Sequence, residues 1–408
     1  MKNKLEQLYK LIDNKFYFRL FYLFVSLSTV TVMKEIPGVN ILSKIALLWG
    51  ILLILFMIFN DYKKRKIYAF DIPIVIFILI TLLFNIIFYN SSENFKIWIV
   101  NLILFISVFT VDVFKNKKIL VKEMKLITHF YAIFMFISAV ISLFMKFFNK
   151  SIIIGEYIFE GTRAGIFENP NAISIAASIA IVMCMYLHHT EKYYRLKLFW
   201  VINIVIQAIT MILFNGRSSY LVVIAVVYCF IFVYSNNKYI RGVLLILPII
   251  VCIGAVNIEG NHIRDFTSGR TSLWESASIV VKDNPVTGVG YSNMVDAVTN
   301  ARETDDLPGL TTGRLHNIYI EIATVNGIIA LVLILIFLIS LLIFIINQLD
   351  HLRKKEKFEM TILTAMLVGI LSVNLFESNL IYIISFISII FWIYAGYLIS
   401  IIGNRNIE

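Results

Sequence analysis

Residues 317–346 read NIYIEIATVNGIIALVLILIFLISLLIFII, and this run decides the fold class. An α-helix needs about 20 predominantly apolar residues to cross the ~30 Å hydrocarbon core of a bilayer. The run is longer than that and carries one carboxylate, Glu321, so it reads as a span that tilts or projects beyond the bilayer. The rest of the chain agrees. Of its 408 residues 59% are hydrophobic and 15% charged, with a mean hydropathy of +0.84. A soluble core of that length cannot bury so much apolar surface, so lipid is the solvent for most of the chain.

Working outward, apolar runs of about 17–25 residues mark further spans. They fall at 16–33, 41–59, 70–89, 95–114, 126–148, 172–187, 198–214, 218–234, 240–258, 358–376 and 380–402. The expected fold is therefore all-α and polytopic, with about 12 transmembrane helices. The basic segment 1–15 is followed by an apolar run without a small-x-small cleavage site, so it is expected to lead into an uncleaved first span.

Threading the chain through these spans puts most of its cations on one side. Lys63, Lys64, Arg65 and Lys66 share that side with Lys115, Lys117, Lys118, Lys122 and Lys125. Lys192, Arg195, Lys197, Arg353, Lys354, Lys355 and Lys357 join them. Roughly 24 of the 36 Lys and Arg lie there, as the positive-inside rule requires for cytoplasmic termini in the cell membrane. A net charge of +10 and a pI near 9.3 would suggest nucleic acid in a soluble protein. Here cytoplasmic loops account for the charge, and no nucleic-acid partner is expected. Cys184, Cys229 and Cys252 sit inside apolar runs without metal or disulfide spacing and read as packing residues.

Two external segments are longer than connectors, 149–171 and 259–315. Loops longer than about 12–15 residues are usually functional or disordered. In the second, Ser272 followed by Glu275 reads as a capping box that starts a helix ending before Asn284-Pro285, with a turn at Thr287-Gly288-Val289-Gly290.

Four external residues each stand just before an expected helix start. Arg163 precedes Asn169-Pro170-Asn171, Arg217 precedes Ser218-Ser219, Arg270 precedes the capping box, and His316 precedes Asn317. Unsatisfied N–H groups and positive dipole ends would point outward there, so clustered arginines and helix starts would make an anion site. The plainer reading is that each arginine snorkels to lipid headgroups and that Asn171, Ser218 and Asn317 are ordinary N-caps. Arg217 stands out because the Asn215-Gly216-Arg217 turn is tight. Of the six histidines only His262 and His316 are external, and histidine is the usual general base near neutral pH. Glu321 lies below His316, and a carboxylate inside a span is by default a functional hypothesis.

In order along the chain, these pieces resemble one family. They are 162–171 (TRAGIFENPN), Gly216-Arg217-Ser218-Ser219, Gly269-Arg270 with Trp274, Asn284-Pro285, Gly288-Val289-Gly290, and His316-Asn317 with Gly327. The pattern is similar to that of the O-antigen ligase and Wzy-type polysaccharide polymerase family. The resemblance implies a GT-C-like membrane glycosyltransferase that moves glycan from undecaprenyl diphosphate to an acceptor sugar at the outer face, without nucleotide sugar, metal or other cofactor. It implies catalytic roles for His316, Arg217 and Arg270 and substrate contacts from Arg163, with Asn171, Asn317, Glu321 and Gly288 as further candidate substrate residues. Membrane lipid, a flippase and a chain-length regulator are the implied partners besides the lipid-linked oligosaccharide. On this reading 1–148 hold the first five helices, 149–346 the ligase- and polymerase-like core, and 347–408 the last two helices.

The ligase branch follows the histidine motif's glycine with a Gly-Thr-Thr ending, whereas here Ile328-Ile329-Ala330-Leu331-Val332 follow Gly327, which favours polymerisation. The Ile-, Lys- and Asn-rich composition fits an AT-rich genome, and on that ground capsule or exopolysaccharide is preferred over lipopolysaccharide. A ligase with another acceptor, or a transporter or flippase built on the same anion site, are the alternatives. Transporters usually show internal repeats or broken midplane helices. No repeat is evident in the sequence, and Asn203, Gln207 and Asn374 fit interhelical hydrogen bonding.

Overall fold

The computed structural model describes residues 6, 9–61, 66–109, 111–155, 157–256, 267–303 and 307–404. The helices in chain order are α1 (Lys15–Ser28), α2 (Val39–Phe56), α3 (Asp71–Phe84), α4 (Ser92–Ile103), α5 (Lys117–Phe147), α6 (Pro170–Thr190) and α7 (Tyr194–Phe214). After them come α8 (Tyr220–Tyr234), α9 (Lys238–Val256), α10 (Arg270–Asp283), α11 (Met294–Asn300), α12 (Ile318–Leu349), α13 (Lys354–Val373) and α14 (Phe386–Gly403).

Each of the twelve apolar runs contains helix among its described residues. Eight helical segments among the described residues, those of α2, α3, α5, α6, α7, α8, α12 and α14, are long and apolar enough to cross a membrane. The other four runs fall outside that set for local reasons. Regular helix in α1 stops at Ser28, and α4 continues only as a π turn, Leu104–Val108. Two open on charged residues, Lys238 and Arg241 in α9 and Lys354-Lys355-Glu356-Lys357 in α13. The last run begins later than its hydropathy suggests. Residues 375–385 are irregular, and Ser385 caps α14 by accepting from Ile387 N.

The helices alternate in direction between two ends. At one end the basic loops meet carboxylates: Lys115 pairs with Glu123 and Lys117 with Glu356 at 2.7 Å, and Arg241 pairs with Asp350 at 2.8 Å. The described chain starts and finishes there, with Lys15 3.5 Å from Asp112 and Asn404 donating to the Lys115 carbonyl. At the opposite end lie the starts of α6, α8 and α12 and the residues after α13. The all-α expectation holds apart from one hairpin between α5 and α6, β1 (Ser151–Ile154) with β2 (Tyr157–Glu160), antiparallel with Ser151 opposite Glu160.

The core centres on α14, every residue of which is buried. It packs on α1, α5 and α13, and Trp392 lies among the rings of Phe105, Phe109, Phe337 and Phe391. This centre fixes α13, whose C-terminal residues reach the candidate site.

Helix α12 is broken at Gly327, where φ is 82° and ψ 172°. A break frees backbone groups, which inside lipid must find partners. Here the 284–290 segment supplies them. Val289 N donates to Thr324 O at 3.0 Å, Gly290 N to Val325 O at 2.9 Å, and Ile328 N to Pro285 O at 2.8 Å. A π turn that ends α3, Asn85–Tyr89, brings the Tyr89 hydroxyl to the same Val325 carbonyl at 3.0 Å. A side chain at Gly288 would collide with the Thr324 and Val325 backbone, and one at Gly327 with the Val286 backbone. The Asn-Pro, Gly-x-Gly and Gly327 signals are thus one joint.

Candidate active site

Three helix starts and one connection converge. Asn169 caps α6 by accepting from Ala172 N at 2.8 Å, and Pro170 follows at the first helical position, where its missing N–H costs nothing. Asn171 is therefore inside the helix and is not its N-cap, and its amide is free to donate to Glu377 Oε1 at 2.9 Å. Gly269, at φ 79°, turns the chain into α10 so that Arg270 is its first residue. The Arg270 guanidinium donates to the Phe376 carbonyl and reaches Glu377 Oε1 at 3.4 Å. His316 sits in the left-handed region, φ 51°, just before α12, with Nδ1 3.5 Å from Glu377 Oε2.

Glu377 is the hub that sequence reasoning missed. Its carboxylate meets Asn171, Arg270 and His316, and its carbonyl accepts from Ile318 N at 3.2 Å. The side chains of Arg270 and His316 stay 15% and 18% exposed around a carboxylate that is 9% exposed, so part of the cluster is accessible. Trp274 of α10 steadies it, donating from Nε1 to Leu315 O at 2.8 Å with its ring 6.1 Å from that of Phe376.

The expected free N–H groups are not available on α12. Asn317 is its N-cap, as expected, accepting from Tyr319 N and Ile320 N, and Ile318 N is taken by Asn374 O and Glu377 O. An anion here would meet side chains and helix dipoles, not those amides. The capping box is also corrected. Helix α10 starts at Arg270, and Ser272 and Glu275 serve Arg302, which donates to Ser272 Oγ at 2.9 Å and to Glu275 Oε2 at 2.6 Å. A guanidinium competes for a carboxylate better than a backbone N–H does.

The remaining candidates divide. Arg217 opens a short 3-10 turn, Arg217–Ser219, whose Gly216 N donates to Ser174 Oγ at 2.9 Å on the first turns of α6. A side chain at Gly216 would strike Ser174 and the Pro170 carbonyl, so glycine lets the Arg217 turn lie against the helix that carries Asn171. Ser218 is buried in that turn and does not cap α8. Arg163 is exposed and lines another cavity of about 190 Å³ with Glu35, Tyr157, Glu160 and Glu168. Glu321 is fully buried away from His316, paired with Arg314 at 2.9 Å and accepting from Leu315 N at 3.0 Å. Gly288 belongs to the joint at Gly327. His262 lies outside the described residues.

Gly309 leaves room beside His316. A Cβ there would stand 2.5 Å from His316 Nε2. With Nδ1 turned to Glu377, the other ring nitrogen borders a residue without a side chain.

Comparison with curated proteins gives no match. The family model described as O-antigen ligase matches residues 202–335, the segment from α7 through the Arg217 turn, Arg270, His316 and the Gly327 break, and supports assigning the chain to the O-antigen ligase and Wzy-type family.

Proposed function

We propose that this chain polymerises lipid-linked oligosaccharide repeat units at the outer face of the cell membrane, for a capsule, exopolysaccharide or O-antigen type of glycan. In this reading twelve helices span the bilayer, the basic end with both termini is cytoplasmic, and the Glu377 cluster faces outward. The observation that supports it best is that Arg270, His316 and Asn171 meet at one carboxylate beside the Arg217 turn, with Arg217, Arg270 and His316 inside the matched segment.

The chemistry follows from the side chains. The anomeric C–O bond to undecaprenyl diphosphate breaks, and its electron pair leaves with the diphosphate. Arg217 and Arg270 meet the charge developing on that leaving group, and planar guanidinium suits phosphate oxygens. An acceptor sugar hydroxyl forms the new C–O bond and gives its proton to His316. Glu377, with Oε2 3.5 Å from Nδ1, would accept the Nδ1 proton and leave Nε2 as the basic nitrogen on the Gly309 side. Arg163 grips the incoming glycan from its own cavity. Asn171 and Asn317 position Glu377 and the start of α12, and the external 259–315 segment excludes water that would hydrolyse the donor.

The test is purified protein in detergent with lipid-linked repeat units and no ion gradient. Longer glycan on the lipid supports polymerisation. Transfer to a different acceptor would favour a ligase. Movement of intact lipid-linked glycan across vesicles without bond formation would overturn the enzyme reading in favour of a carrier.

A further inference from the structure

Two buried hydroxyls next in sequence to candidate site residues have no partner among the described residues. Ser218 Oγ, next to Arg217, and Ser378 Oγ, next to Glu377, are buried and make no hydrogen bond among the described residues. The two residues are 7% and 3% exposed. Their neighbours show the usual pattern: Ser219 Oγ donates to Gly216 O at 2.6 Å, and Ser174 Oγ accepts from Gly216 N. A buried hydroxyl without a partner is costly, and native structures leave few of them. The other such atoms among the described residues, on Tyr22, Tyr68, His189, Trp200 and Gln207, lie along helices or toward the basic end. Only these two belong to residues that directly follow a candidate site residue in sequence.

We infer that Ser218 and Ser378 are substrate-positioning residues whose hydroxyls donate to oxygens of the diphosphate that joins lipid to glycan. This rests on the polymerase reading above. Each hydroxyl follows a candidate site residue in sequence, Ser218 after Arg217 on the turn against α6 and Ser378 after the hub Glu377. A diphosphate offers several acceptor oxygens, enough for two arginines and two hydroxyls together, and is acceptor-only where these serines have a donor unused.

The test uses the full chain in detergent and sugar-free undecaprenyl diphosphate as probe, with affinity read by calorimetry and stability by thermal unfolding. Because neither hydroxyl has a partner without ligand, Ser218→Ala and Ser378→Ala should keep the ligand-free Tm. Each should weaken the probe's Kd about 3- to 10-fold, the loss of one ordinary hydrogen bond. Ser219→Ala, which loses its bond to Gly216, should lower Tm and serves as the structural control. Equal affinity in the parent and both variants would overturn the serine assignment and leave the polymerase reading standing. A fall in ligand-free Tm in both serine variants would also overturn it, as the mark of a structural role. If phosphatidylglycerol bound with the same serine dependence, an ordinary phosphate headgroup would be the ligand and the diphosphate assignment would fail. Absence of saturable binding by the parent protein would overturn both this inference and the reading beneath it.

Discussion

Two glutamates lie close to the start of α12, and they do opposite things. Glu321 is sealed: it has no exposure, pairs with Arg314 at 2.9 Å, and accepts from Leu315 N. Arg314 in turn lies over the Tyr291 ring, 5.7 Å from its centroid. Glu377 instead divides its oxygens among Asn171, Arg270 and His316, two of which keep an exposed edge. A closed ion pair with every oxygen engaged fixes a loop, and a shared carboxylate with reachable partners can exchange one of them for a ligand. Charge in a span is therefore a weaker guide to chemistry than the way its partners are satisfied.

The sharpest way to break this contrast is His316→Ala. If the open cluster is catalytic, turnover falls about 10²- to 10⁴-fold, the ordinary contribution of a general base. The variant should still fold and bind the lipid diphosphate. Polymer formed from lipid-linked repeat units in vitro measures it, and retained turnover would make the open cluster as structural as the closed one.

Glu321→Gln is the counterpart at the closed pair. It leaves Arg314, only 13% exposed, without its carboxylate, and breaking a buried pair costs about 3–5 kcal/mol. Thermal unfolding in detergent should show a large drop, while turnover per folded molecule changes little. A variant of normal stability and no turnover would move the chemistry to Glu321.

Arg270→Lys keeps the charge and removes the fork that spans Phe376 O and Glu377. Loss of a charge-assisted bond predicts about a 10- to 100-fold fall in turnover with the protein still in the membrane. Arg217→Lys should do the same. Near-normal polymer from both would mean that these arginines hold the fold and do not meet the leaving group.

How much of this was legible follows from how local each signal is. Apolar runs announce helices because a span satisfies its own backbone, so all twelve were readable. That Arg270 and His316 stand at helix starts was readable because such starts carry local signals. Glu377 was not, since nothing near Phe376-Glu377-Ser378 states that α13 ends beside α6, α10 and α12. The capping box failed through a distant competitor, Arg302, and Asn171 was mistaken for a cap because Asn169, two residues earlier, offers the same side chain. Gly288 and Gly327 were noticed as a pattern, but their joint role needed the register of two distant segments.

The smallest expected effect lies at the other end and sets the lower limit of the comparison. Asp350 is a carboxylate with two basic side chains around it, as Glu377 has Arg270 and His316, but it stands on the rim with its side chain 33% exposed. The Arg241 guanidinium holds it by two bonds, at 2.8 and 3.0 Å, and Lys357 adds a third at 3.0 Å. Together they hold its pKa down at about 2. A depressed carboxylate contributes stability above its ordinary range and loses it only as pH falls through the folded value. From pH 5 to 8 the pair is therefore constant, and water screens it. Asp350→Asn should cost about 0–1 kcal/mol, as exposed pairs do, with the same difference from the parent at every pH in that window. Thermal unfolding of both proteins across pH 5–8 checks it. A loss as large as that of Glu321→Gln would show that position on the rim does not separate structural from dispensable carboxylates, and the distinction between the two glutamates of α12 and its neighbour loop would then need a different physical basis.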